Sequence, residues 1–380
     1  MSTPKRKAPW FRLRRWCIAA LLLANVPWPA RATNCDPVTG VSPCLNANAM
    51  WLAPGASRFF SIAGTDPLKA RSVSFAFALS YLSRPVTFRA ASPDPDGRQV
   101  LVLDNVFDAE MLWGYGIDSR WDLNLALAMV VWQNGTGVEG ITSQTAPAIK
   151  PIAFRDPRVG LSRLLYRRAI RGADAELGVA SRFELTLPLG TKSVLAGDRF
   201  SVLAPSFAFS TRVGRFRGAV ELGERLRRTT EISGTRIGSQ LFVAAGASMS
   251  LIDSGVLSIG VESWMLPTLS SQNRDLPDGT RIRNAVLIPS EWLASLRLRL
   301  SADDAWSMQA GAGSGLPLSS EERALPNGRT ENDLFLGATT PRARAVLLLR
   351  YAPADILKKS ARSRKSGRQP GAGHPSSFPR

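Results

Sequence analysis

Residues 121–132 read WDLNLALAMVVW, and the solvent that stretch is written for decides the fold. Trp121, Leu123, Leu125, Leu127 and Met129 take every second position, with Asp122, Asn124, Ala126 and Ala128 between them. A period of two belongs to a strand, because successive side chains of extended backbone point to opposite faces, whereas a helix scrambles the two sets. Two environments accept such a strand. A soluble sandwich turns the apolar face inward, and a membrane barrel turns it outward.

The alternation recurs. SFAFALSYL (74–82) sets Phe75, Phe77, Leu79 and Tyr81 against small residues, ELGVASRFELTLPLG (176–190) sets Leu177, Val179, Phe183 and Leu185 against Arg182 and Glu184, and EWLASLRLRL (291–300) sets Trp292, Leu296 and Leu298 against Arg297 and Arg299. Similar segments fall near 106–117, 158–167, 200–212, 215–226, 237–251, 256–266, 305–312 and 342–351, which with the opening stretch makes twelve. Short connections rich in Gly, Asp and Ser (GIDSR, RRAIRGAD, RVGRFRG, IDSG, SADDA) alternate with long ones at about 84–104, 133–157, 189–199, 227–236, 267–285 and 313–341. That rhythm is an up-and-down meander with turns at one end and loops at the other. Most segments reach ten residues, which suits a tilted membrane strand of about 9 to 11 residues better than a soluble strand of about 5 to 6. The expectation is an all-β, antiparallel up-and-down outer-membrane β-barrel of about 12 strands over 71–352, with both termini at the turn end. Asp122, Asn124, Arg182, Glu184, Glu221, Glu262, Arg297, Arg299, Arg344 and Arg350 are the expected lumen-lining residues.

The ends are basic, and the formal net charge is +18. Lys5, Arg6, Lys7, Arg12, Arg14 and Arg15 precede a short apolar run that ends in Ala-Arg-Ala, the pattern of a secretory signal over 1–32 cut after Ala32. The run is too short for a spanning helix, which needs about 20 apolar residues. Export makes a disulfide between Cys35 and Cys44 the default within the N-terminal segment 33–70, ahead of a lipid-modified Cys35. The tail 353–380 is composed of Lys, Arg, Ser, Gly and Pro and is expected to be disordered, solvated, and able to touch anionic lipid or cell-wall polymer. A nucleic-acid partner is not expected of an exported chain without a recognition motif.

Chemistry is hard to build from these residues. The one histidine, His374, lies in the tail, so no Ser-His-Asp or Cys-His site forms in the barrel, and two cysteines with one distant histidine do not complete a metal site. No enzyme activity, metal or cofactor is expected. GAGSGLPLSS (311–320) lacks the Lys-Ser/Thr of a phosphate loop and reads as an external loop, NGTG (134–137) as a turn, and Asp303 with Asp304 as solvated turn residues. Trp113, Tyr115, Trp121, Trp132, Trp264 and Trp292 suit aromatic girdles at the two membrane interfaces.

MWLAPGASRFFSIAG, LSYLSRPVTFRAASPDPDGRQV, RDPRVGL, FELTLPLG and TTPRARAVLLLRYAP resemble the barrel modules of secreted myxobacterial and delta-proteobacterial proteins, usually labelled outer-membrane transporter-like or OmpA-family. The likeness spans about 50–353 and implies an outer-membrane barrel without naming a substrate. Many such barrels continue into calcium repeats and a peptidoglycan-binding domain, which is not expected here. The expected role is a passive pore or transporter-like channel for small solutes, set in outer-membrane lipid, with lumen charges setting selectivity. A twelve-stranded lumen is narrow enough for side chains, loops or the N-terminal segment to fill. A closed structural barrel is therefore the second reading, and a soluble exported sandwich that binds ligand the third.

Overall fold

Extended backbone leaves N–H and C=O groups at each edge of a sheet, and this chain removes its edges by closing the sheet on itself. The structure, a computed structural model, describes residues 35, 42–90, 98–138, 149–170, 175–232, 235–252, 255–275, 279, 281–324 and 329–353. The expected signal over 1–32, the tail from 354 and connections that include 91–97, 139–148, 171–174 and 253–254 fall outside the described residues. Twelve strands form the barrel: β1 (Val73–Ala90), β2 (Arg98–Gly116), β3 (Trp121–Asn134), β4 (Arg158–Ile170), β5 (Ala175–Thr186), β6 (Leu203–Val213), β7 (Phe216–Arg225), β8 (Gln240–Ser250), β9 (Leu257–Met265), β10 (Ser290–Arg299), β11 (Trp306–Gly315) and β12 (Ala343–Tyr351). Each pairs antiparallel with the next. Closure comes from β1 and β12, which pair from Phe75↔Tyr351 to Ser83↔Ala343. The two-residue strand Ala153–Phe154 adds to β3 beside β4.

Turns and loops alternate as the sequence predicts. The β6–β7 connection is only Gly214 and Arg215, with Gly214 at φ 56°, a left-handed turn position that favours glycine. Two expectations change. Much of 84–104 is strand, because β1 runs to Ala90 and β2 begins at Arg98. Pro85 lies at the register shift between Ser83 and Val86, the kind of irregularity where a strand accepts proline. Gly311–Gly315 likewise belongs to β11 rather than to an external loop. At the loop end, Arg274–Asp275, Arg281–Val286, Ser319–Ala324 and Thr330–Phe335 make a four-stranded sheet, and Thr230–Ile232 pairs with Thr235–Ile237 as a hairpin.

The opening stretch shows how the wall is oriented. Leu123, Leu127 and Trp132 are exposed on the outside of the barrel, while Asn124, Ala126 and Val130 are buried within it. Phe107, Met111, Phe183, Phe207, Leu222, Ile259, Leu296 and Leu347 continue the exposed apolar face around the other strands. An apolar surface that encircles the molecule exceeds by far the patch of a few hundred Å² that a soluble monomer shows, and its solvent is lipid. The soluble sandwich is excluded on this ground.

The lumen holds residues 42–70. Residues 42–47 lie at the loop end, where the Ser42 amide donates to Glu231 O (3.2 Å) and the Ala47 amide to Leu195 O (2.9 Å). The chain then descends inside the wall to the turn end, where the Lys69 amide donates to Pro353 O (2.9 Å), and enters β1. The strand ends Val73 and Tyr351 do lie at the turn end, but the chain that precedes β1 crosses to the other mouth. Cys35 and Cys44 form a disulfide in this segment. Leu45, Leu52, Phe60, Ile62 and Leu68 are buried, and the first four pack in clusters with inward residues such as Ala78, Leu82, Leu112, Trp264, Leu293 and Leu348.

Candidate functional site

A chain that crosses a barrel without joining its sheet must still satisfy its backbone N–H and C=O groups. The charged residues that alternate inward along the strands do this. The Glu262 carboxylate accepts the amides of Phe60 (2.9 Å) and Ser61 (3.2 Å) and the Ser61 hydroxyl (3.2 Å). Glu221 accepts the Ala63 amide (2.6 Å), and Asp122 the Leu68 amide (3.3 Å). Arginines serve the carbonyls: Arg225 donates to Ala49 O (2.8 Å), Arg158 to Leu52 O (3.1 Å), and Arg350 to Ala53 O (3.0 Å) and to Ser57 O. The guanidinium groups of Arg158 and Arg225 both lie over the Trp51 ring, with Cζ atoms 5.0 and 4.0 Å from its centre.

Ion pairs tie the remaining charges into layers. Toward the loop end, Arg155 pairs with Asp108 (2.9 Å), Asn48 donates to Asp108 (2.9 Å), and Arg344 donates to Asn48 (3.1 Å) while bonding both oxygens of Glu291 (2.5 and 2.9 Å). In the middle, Arg158 pairs with Glu110 (2.6 Å) and Glu184 (3.3 Å), and Arg182 bonds Glu184 and lies 3.8 Å from Glu221. Toward the turn end, Asp304 joins Arg58 of the segment (2.7 Å) to Arg297 of the wall (3.0 Å), and Asp66 of the segment pairs with Arg167 (3.0 Å). Burial raises the Asp304 carboxyl, but Arg58 and Arg297 outweigh it and hold the group below the usual range.

All ten expected lumen residues face inward. Asp122, Glu221, Glu262 and Arg350 bond the main chain of the segment, Arg344 bonds its Asn48, and Arg297 reaches it through Asp304. Arg182 and Glu184 belong to the Arg158 cluster, Asn124 donates to the Ser162 hydroxyl across the wall (3.0 Å), and Arg299 is half-buried at the turn end. Two other expectations are corrected. Trp264 is no girdle residue, since it is buried in the lumen two positions from Glu262 and so on the same face. Asp304 is not merely solvated, because it anchors Arg58. Asp108, Glu110, Arg158, Arg225 and Glu291 were missed. Asp108 and Glu110 alternate with Phe107 and Met111 and were readable by the same rule.

At the loop end the Asp156 carboxylate accepts the amides of Gly190 (2.7 Å) and Asp198 (2.6 Å) and so fastens the β5–β6 loop. Burial, with Asp198 close by, pushes this group up to about 7. Two of the cavities left between segment and wall measure about 50 and 20 Å³. The larger has room for several waters.

No protein-family model matches this chain, and no curated protein matches it. Among solved structures it is similar to an outer-membrane channel from Pseudomonas putida F1, at 9% identity and TM-score 0.48 over 76% of this chain and 97% of that one. It is also similar to the KdgM porin (8% identity, TM-score 0.37, 73% and 98%) and to outer membrane phospholipase A from Escherichia coli (7% identity, TM-score 0.31, 75% and 94%). The shared feature is the barrel. The chain has an outer-membrane barrel fold, and its lumen, unlike a plain water-filled tube, is occupied by its own N-terminal segment.

Proposed function

We propose that this protein is an outer-membrane barrel of channel type whose pore is conditional: residues 42–70 close it, and small solutes cross when that segment shifts. The observation that carries this reading is the chemistry of the wall. A core that stays filled is served equally well by apolar side chains, since a buried ion pair gains little or nothing over them. This wall instead holds carboxylates and guanidinium groups of both signs from one mouth to the other, a lining that water and ions tolerate once the segment moves. The usual outer-membrane arrangement puts the loop end outside the cell and the turn end in the periplasm. No catalytic step is assigned. Kinship with the myxobacterial transporter-like modules, export by a cleaved signal and contact of the tail with anionic polymer are parts of the same reading.

Planar-bilayer recording tests it. Unmodified protein should stay mostly closed, and the double substitution Glu262→Ala with Arg350→Ala, which removes five hydrogen bonds to the segment, should raise the open probability severalfold. Arg297→Glu in that background should shift the open pore toward cations. Silence from all three proteins, each folded by heat-modifiable gel mobility, would favour the second reading, a closed structural barrel. The packing of Phe59, Phe60 and Ile62 against Trp264 and Leu293 is what favours that alternative.

A further inference from the structure

The cavity of about 50 Å³ lies near the β6–β7 turn, between residues 56–66 of the segment and the wall, and its lining includes Arg58, Thr65, Ser210, Arg212 and Arg217. Positive charge is in excess there. Asp304 is shared by Arg58 and Arg297, while Asp66 and Glu176 are both bonded by Arg167. Arg212 and Arg217 stand directly opposite each other in the β6–β7 register, an arrangement of like charges that costs stability, and Glu176 flanks Arg212 on its other side. Among the described residues Arg217 has no hydrogen-bond or ion-pair partner. A guanidinium offers five N–H donors in a planar fork, the geometry that carboxylates and phosphates fill.

We propose that this cavity binds a small oxyanion, inorganic phosphate or a carboxylate, held by Arg217 with Arg212 and by the hydroxyls of Thr65 and Ser210. The two hydroxyls already touch each other at the cavity wall, one from the segment and one from β6. The space is several times the roughly 10–15 Å³ that one water requires, enough for the oxygens of such an anion. The bound anion bridges segment and wall, so it stabilises the closed arrangement with the logarithm of its concentration once that exceeds its Kd.

Calorimetric titration of phosphate, and separately of acetate, into full-length protein in detergent at constant ionic strength is the test. Saturable binding beyond a chloride control is expected, weakened at least tenfold by Arg217→Gln and less by Arg217→Lys. The absence of saturable binding, or equal affinity in Arg217→Gln, overturns the proposal. Phosphorus NMR on unmodified protein needs no variant: broadening of the phosphate line that chloride does not reverse is expected, and an unbroadened line together with no saturable acetate binding overturns the site. Dihexanoylphosphatidylglycerol separates the sources of the anion, since its competition with phosphate assigns a lipid headgroup and its failure to compete assigns the free ion. Both readings share the seated segment, but binding is read without conductance, so failure of this site is distinguishable from failure of the channel reading.

Discussion

Arg344 and Arg236 mark the two ends of what an arginine contributes here. Arg344 and Glu291 are both fully buried and bonded through two oxygens, and Asn48 of the segment completes the cluster. Arg344→Ala strands the Glu291 charge in the lumen and should cost about 3–5 kcal/mol, read as a lower urea midpoint for loss of heat-modifiable mobility. Arg236→Ala breaks only an exposed pair with Glu231 (3.5 Å) and should change the midpoint by about 0–1 kcal/mol. Asp156 adds a pH dependence with a definite sign. Its carboxyl is raised in the folded state, from 3.8 to about 7, so the folded protein holds that proton more tightly than the unfolded chain. The associated stability is fully present below pH 3.8 and is lost as pH rises through about 7. Unfolding midpoints measured across this range should fall with pH, and Asp156→Asn should flatten that slope.

At the scale of elements, two glycines explain how a segment with bulky side chains fits against the wall. A Cβ at Gly246 would come within 2.7 Å of the Phe59 ring, and one at Gly311 would collide with the ring of Phe60. Gly311→Val should therefore destabilise the folded barrel by about 1–3 kcal/mol through overpacking, whereas Ala312→Val, whose side chain faces lipid, should leave the urea midpoint nearly unchanged. The twelve strands themselves were legible because lipid on one side and a polar lumen on the other enforce a strict period of two, and a slip of one residue reverses every side chain. The β1–β2 hairpin was less legible. Pro85 sits in it at a bulge, and bulges are settled by pairing with a partner strand, which local sequence does not display. Trp264 was misread for a different reason: residue type suggested an interface, while its spacing from Glu262 already put it inside.

For the whole molecule, the sequence told which residues face the lumen but not what they face. Alternation places Glu221, Glu262 and Arg350 inward whether the interior holds water or polypeptide. Residues 42–70 have no period of their own, because many of their amides and carbonyls are satisfied by side chains scattered over several strands, as much as 297 positions away for Ala53 and Arg350. The segment was one of several candidates to fill a narrow barrel, and long-range contacts alone single it out. Its seating is the claim on which the conditional pore and the oxyanion site both depend. Amide hydrogen exchange over residues 45–68 of the full chain, followed by mass spectrometry, tests it most directly. Exchange as slow as that of the barrel strands, with Phe60, Ser61 and Ala63 among the protected amides and Phe60 and Ser61 released by Glu262→Ala, is the expected result. Exchange at the rate of a free chain while the strands stay protected would contradict the account.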